Sequence, residues 1–112
     1  MAKDDRAVQL RRGVIELAIL ALLDREPRYG GQIVEDLGAR PGLEASSGTV
    51  YPLLTRLRAA GFVDTVWRES PVGPPRKYYS LTPTGRSEMH SLTFAWREMN
   101  VALDGLLEEV ET

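Results

Sequence analysis

The chain has 112 residues, enough for one compact domain with a modest core. It has no cysteine, which excludes disulfides, thiolate metal sites and cysteine nucleophiles. Its net charge of −2 speaks against a uniformly basic surface, yet the charge is segregated: residues 46–81 carry Arg56, Arg58, Arg68, Arg76 and Lys77 against Asp64 and Glu69, while residues 82–112 carry Arg86 and Arg97 against six acids.

The start, Met1 to Arg6, lacks the layout of a signal peptide, and with the absence of cysteine this gives the expectation of a cytoplasmic protein. Leu10 to Leu23 reads as a helix. Its apolar run from Val14 to Leu23 is broken by Glu16 and is too short to span a bilayer, so no membrane partner is expected. Apolar residues fall on all its sides, which demands cover from more than one direction. One cover is a local core; the other is a second copy of the chain, with Val14 and Leu17 as candidate contacts.

Asp24 to Arg28 reads as a turn broken at Pro27, and Tyr29 to Leu37 as a short second helix. Gly30 and Gly31 at its start permit close approach of another backbone or of a phosphate. A turn from Gly38 to Ala45 leads into the stretch Ser46 to Gly61. There Val50, Leu53, Leu54 and Leu57 form one helical stripe, Ser46 and Ser47 are N-cap candidates, and Gly61 is a stop. The other face offers Thr49, Pro52, Thr55, Arg56 and the nearby Tyr51 without one carboxylate. A serine-rich helix start suits phosphate, and the face suits an anionic partner, so this is a candidate DNA recognition helix. An ordinary amphipathic helix with a solvated face fits the same stretch.

After Gly61 the period becomes strand-like. Phe62 to Glu69 and Arg76 to Leu81 flank a Pro/Gly loop and predict a hairpin wing, with Arg76 and Lys77 near its tip in reach of phosphates. The bland reading of that basic pair is solubility. Thr82 and Pro83 open a last helix as N-cap and first helical residue. Met89, Leu92, Trp96, Met99, Leu103, Leu106 and Val110 then alternate at spacings of 3 and 4, a heptad seam that predicts a twofold dimer. Met89, Leu92, Thr93, Trp96 and Asn100 mix apolar surface, sulfur and polar groups. Such a lining suits a flat apolar ligand between subunits, while an aromatic at helical spacing also serves as plain interface core. The only histidine, His90, lies on this helix with no serine nucleophile or metal-ligand cluster arranged around it, and a metal site on His90 and nearby glutamates has little support, so neither an enzyme, a metal site nor a cofactor is expected.

These segments predict a mainly α, α+β chain: a winged helix-turn-helix DNA-binding domain over residues 1–81 and a long C-terminal dimerisation helix over residues 82–112. Leu10-Arg11-Arg12-Gly13, Tyr29-Gly30, Ser47-Gly48-Thr49-Val50-Tyr51-Pro52-Leu53-Leu54-Thr55-Arg56-Leu57, Gly73-Pro74-Pro75-Arg76-Lys77-Tyr78-Tyr79 and Leu81-Thr82-Pro83-Thr84-Gly85 together resemble the PadR family of transcriptional regulators, in its compact form with a single C-terminal helix. Gly31 stands where many members carry a bulkier residue. The resemblance implies a homodimeric winged-helix repressor that leaves a double-stranded DNA operator on binding a small molecule. The candidate DNA contacts are then Tyr29, Gly30, Ser46, Ser47, Gly48, Thr49, Tyr51, Pro52, Arg56, Arg76 and Lys77. The resemblance also implies a small aromatic effector at a dimer interface beside Trp96; with the stripe above, the candidate effector residues are Leu17, Ala21, Met89, Leu92, Thr93, Trp96 and Asn100, and the candidate interface residues are Val14, Leu17, Met89, Leu92, Trp96, Met99, Leu103, Leu106 and Val110. The rival from another class is a winged-helix module that binds protein and has no sequence-specific affinity for DNA.

Overall fold

The computed structural model describes residues 5–111, with side chains from Gly13 onward. The chain runs α1 (Asp5–Arg25), β1 (Arg28–Tyr29), α2 (Gly30–Gly38), α3 (Ser47–Ala59), β2 (Val63–Arg68), β3 (Arg76–Leu81) and α4 (Pro83–Glu111). The three strands form one antiparallel sheet in the order β1-β3-β2. Three helices packed on a small sheet whose β2–β3 hairpin projects as a wing make an α+β winged helix, extended by the 29-residue α4. Among the described residues, no helix is long and apolar enough to cross a membrane.

The core draws one or more residues from every helix. Ile15, Ile19, Leu20, Leu22 and Leu23 of α1 meet Ile33 and Leu37 of α2 and Val50, Leu54 and Leu57 of α3. Val63 and Tyr79 close it from the sheet and Met89 from α4. Helix α1 therefore does bury residues on several sides, but Val14, Leu17 and Ala18 stay half-exposed and Ala21 is exposed.

Helix α3 ends as its glycine dictates. Gly61 has φ +83°, its N–H donates to the Arg58 carbonyl (3.0 Å), and the next N–H, of Phe62, donates to the Leu57 carbonyl (2.9 Å). That pair of bonds is a Schellman stop, which satisfies carbonyls the helix leaves open. The start of α4 is tied to the same corner. Thr82 caps it by accepting the Gly85 N–H (2.9 Å) while its hydroxyl donates to the Gly61 carbonyl (2.7 Å). Gly85 is buried so tightly that a Cβ there would stand 2.0 Å from the Phe62 carbonyl oxygen.

Two local expectations are corrected. The first helix begins at Asp5 and ends at Arg25, longer at both ends than the apolar run indicates. Arg28 and Tyr29 belong to neither a turn nor a helix but to β1, opposite Tyr79 and Tyr78 of β3. Two residues carry no readable period, and the strand exists because its partner does. Arg28 is the buried charged residue of the described chain: its Nε donates to the Leu22 carbonyl (3.2 Å) and its guanidinium pairs with Asp36. Those bonds satisfy a charge that would be costly to bury alone.

Candidate nucleic-acid interface

Helix α3 presents its outward face opposite Val50, Leu54 and Leu57. Gly48, Pro52, Thr55 and Ala59 follow one another there at helical spacing, flanked by Thr49, Tyr51 and Arg56, and all seven are exposed. Ser46 stands at the N-cap with extended backbone, and its side chain makes no capping hydrogen bond. The Thr49 and Val50 N–H groups donate to the Ser46 carbonyl (3.0 and 2.9 Å), and no side-chain hydroxyl caps the Ser47 and Gly48 amides before them, a helix start that favours an anion. Pro52 has no N–H to offer the Gly48 carbonyl four residues back, so that acceptor is left open on the same face. The Thr55 hydroxyl donates to the Tyr51 carbonyl (3.1 Å).

Beside this face lies a cleft of about 330 Å³ between the starts of α2 and α3 and the wing. It is lined by Tyr29, Gly30, Gly31, Tyr51, Trp67, Arg76, Lys77 and Tyr79. Five residues expected at DNA from the sequence, Tyr29, Gly30, Tyr51, Arg76 and Lys77, are therefore brought together here. The cations are held by rings. The Arg76 guanidinium lies 4.3 Å from the Tyr29 ring centre and that of Arg68 lies 4.5 Å from Tyr78, while Tyr29 and Tyr78 meet edge to face. The Lys77 ammonium lies 5.8 Å from the exposed Trp67 ring. Such stacking orders long basic side chains before any ligand arrives. Burial pushes the Tyr79 phenol above its ordinary value, and Tyr51 adds to the rise while Arg58 opposes it.

The structure changes the account of two DNA candidates. Gly30 is buried, and the tip of the Tyr51 ring occupies the space around it, 2.4 Å from where a Cβ would be. Its lack of a side chain admits Tyr51, not a phosphate. Arg56 is not a free guanidinium: it forms an ion pair with Glu16 of α1 at 2.6 Å. Trp67, Arg58 and Arg68 were not singled out from the sequence. In β2, Val63, Thr65 and Trp67 share one face, which starts in the core and ends in the cleft, so alternation alone could have flagged Trp67.

A second cleft, of about 420 Å³, opens between α1 and α4. It is lined by Gly13, Val14, Leu17, Leu92, Ala95, Trp96, Met99, Asn100 and Leu103. Leu17, Leu92, Trp96 and Asn100 of the expected effector residues meet here; Ala21, Met89 and Thr93 do not. Ala21 faces a different groove, against Leu22, Leu37 and Leu43. Met89, expected at the seam, is 8% exposed and lies in the chain's own core, because the first turns of α4 pack on the domain. The Thr93 hydroxyl donates to the Met89 carbonyl (2.7 Å). Beyond these turns the seam is bare: Met99, Leu103, Leu106 and Val110 are all exposed. Among the described residues, no cluster of three or more His, Cys, Asp or Glu is arranged to hold a metal ion.

The profile of the transcriptional regulator PadR-like family matches residues 19–91, which include α2, α3, the wing and the core turns of α4. The chain belongs to this family. The chain is also similar to the transcriptional regulator Rv3488 of Mycobacterium tuberculosis, 32% identical over 91% of this chain and 87% of that one. A PadR family regulator from Eggerthella lenta superposes with a TM-score of 0.83 at 31% identity, covering 94% of this chain and 91% of its own. A PadR-like regulator of Bacillus cereus gives 0.80 at 29% identity, covering 88% and 96%. PadR membership makes the chain a transcriptional regulator and not an enzyme.

Proposed function

We propose that this PadR-like regulator binds a pseudo-palindromic operator as a homodimer and represses transcription until a small aromatic effector releases it. The observation that carries the reading is the acid-free outward face of α3 beside the aromatic, basic cleft of the wing. Thr49, Tyr51 and Pro52 are offered to base edges. Ser46, Ser47, Gly48 and Tyr29 are offered to phosphates, and Arg76 and Lys77 anchor the wing. Two recognition helices in successive major grooves require half-sites ~34 Å apart. Residues 1–81, completed by the core turns of α4, serve as the DNA-binding unit, and the rest of α4 serves as the dimerisation helix.

The bare seam of Met99, Leu103, Leu106 and Val110 supports pairing, since an isolated chain has nothing to cover it. The α1–α4 cleft supports the effector: it has apolar walls, one indole and one carboxamide, the lining that suits a flat ring. An effector acts only through a difference in affinity for the DNA-competent and released arrangements. The test begins with selection of duplexes from a randomised pool. An enriched inverted repeat with the stated spacing supports the reading, whereas retention without sequence preference leaves the protein-binding module in its place. Titration of the protein with flat aromatic compounds then follows indole emission, with Trp96→Ala alongside because Trp67 also emits. Quenching that vanishes in the variant locates the effector at Trp96.

A further inference from the structure

Glu16 and Arg56 join α1 to α3. Glu16 sits on α1, in the turn that also supplies Gly13, Val14 and Leu17 to the α1–α4 cleft. Arg56 sits on α3, on the flank of the outward face and on the same stripe as Thr49. Their ion pair spans 2.6 Å, with the Glu16 side chain 18% exposed and that of Arg56 60% exposed. The asymmetry matters. A largely covered carboxylate loses much by losing its cation, whereas an exposed guanidinium is equally able to meet a phosphate. Arg56 cannot serve both partners with the same geometry.

We infer that Glu16 restrains operator affinity by sequestering Arg56, so that α1 sets the charge the recognition helix offers to DNA. The inference rests on α3 facing the operator. Its consequence is a link between the α1–α4 cleft and the outward face of α3. A shift of α1 at Gly13, Val14 and Leu17 lengthens or shortens the Glu16–Arg56 contact made from the same turn, and the guanidinium is released or withdrawn accordingly. The pair is then a two-state element which the α1–α4 cleft and the DNA both bias, as coupling requires.

The test uses the full chain and a duplex enriched by the wild-type protein from a randomised pool. Affinity is followed by fluorescence anisotropy over a range of salt. Glu16→Gln keeps the shape and removes the charge. It should tighten binding by about five-fold per subunit near 0.15 M salt and steepen the log–log salt slope by about one per subunit, the signature of one more phosphate contact. In the Arg56→Ala background, Glu16→Gln should change neither quantity. Equal or weaker binding by folded Glu16→Gln would overturn the inference. A second measurement does not depend on that variant folding: Arg56→Ala alone should leave the wild-type salt slope nearly unchanged. A fall of about one per subunit would show that Arg56 already holds a phosphate and would overturn it as well. If the wild-type protein enriches no sequence, it is the DNA reading that fails, an outcome separate from either of these.

Discussion

Gly30 and Tyr51 illustrate how one missing side chain aims another. The Tyr51 ring rests over Gly30, so the direction of its hydroxyl depends on a hydrogen atom where other residues have a Cβ. Gly30→Ala pushes against the far end of a side chain that can swing, so its cost in stability is small, about 1 kcal/mol. The cost in DNA binding is larger, because Tyr51 must leave its place in the cleft. We expect operator affinity to fall roughly five-fold or more, the worth of one good contact, with the thermal midpoint little changed. Tyr79 gives a second test at this scale. Its phenol is raised by burial, so folding favours the neutral form. The associated stability is complete below the unfolded value near 10 and is lost as pH rises through the higher folded value. Urea denaturation should therefore show a loss of stability above about pH 10 that is reduced in Tyr79→Phe.

At the scale of elements, the corner between α3, β2 and α4 is the most constrained part of the fold. Phe62 gives its N–H to the end of α3, and its carbonyl accepts from Thr82 (3.1 Å) while closing over Gly85. Gly85→Ala forces backbone against backbone, and a loss of about 2–3 kcal/mol is expected in chemical denaturation. Much of this architecture was legible in the sequence. The stripe of α3, the Gly61 stop, the hairpin around Pro71 to Pro75 and the Thr82-Pro83 start each rest on local chemistry that reads directly. What was not legible depends on partners distant in the chain. β1 has no pattern of its own, and the Glu16–Arg56 pair joins charges on helices whose relative placement no spacing reveals. The heptad misled at Met89 because an apolar residue every three or four positions looks the same whether its cover comes from the same chain or another.

For the whole molecule, α4 does two jobs along its length. Its first turns complete the core through Gly85 and Met89, and the remainder, in a helix ~43 Å long, stands largely exposed. A chain cut after Leu81 loses Met89 from the core and the cap at Thr82, and should fail to show a cooperative thermal transition. A chain kept to Thr93 should fold but sediment as a monomer. Leu103→Glu in the full chain should also shift sedimentation towards the monomer while helical circular dichroism is retained, because Leu103 is 54% exposed and supports no core of its own. Charge separation follows the same division, with the positive excess in residues 46–81 and the acids gathered on α4. In a dimer joined through the tails, that arrangement turns the acidic body away from DNA and steers the basic faces towards it.

The small strand β1 has a consequence for how the molecule comes to exist. Arg28 and Tyr29 find their partners in Tyr79 and Tyr78, nearly half the chain away, and Met89 arrives later still. During synthesis the three leading helices emerge with Ile15, Ile19, Leu20, Ile33 and Leu54 lacking the sheet and α4 that complete their cover. Closure of a contact so distant in sequence is slow compared with helix formation, and the unclosed state exposes its apolar surface meanwhile. The nascent regulator is thus most prone to aggregation before its last third leaves the ribosome, and variants that weaken the corner at Gly85 should lower soluble yield more than their loss of equilibrium stability alone would account for.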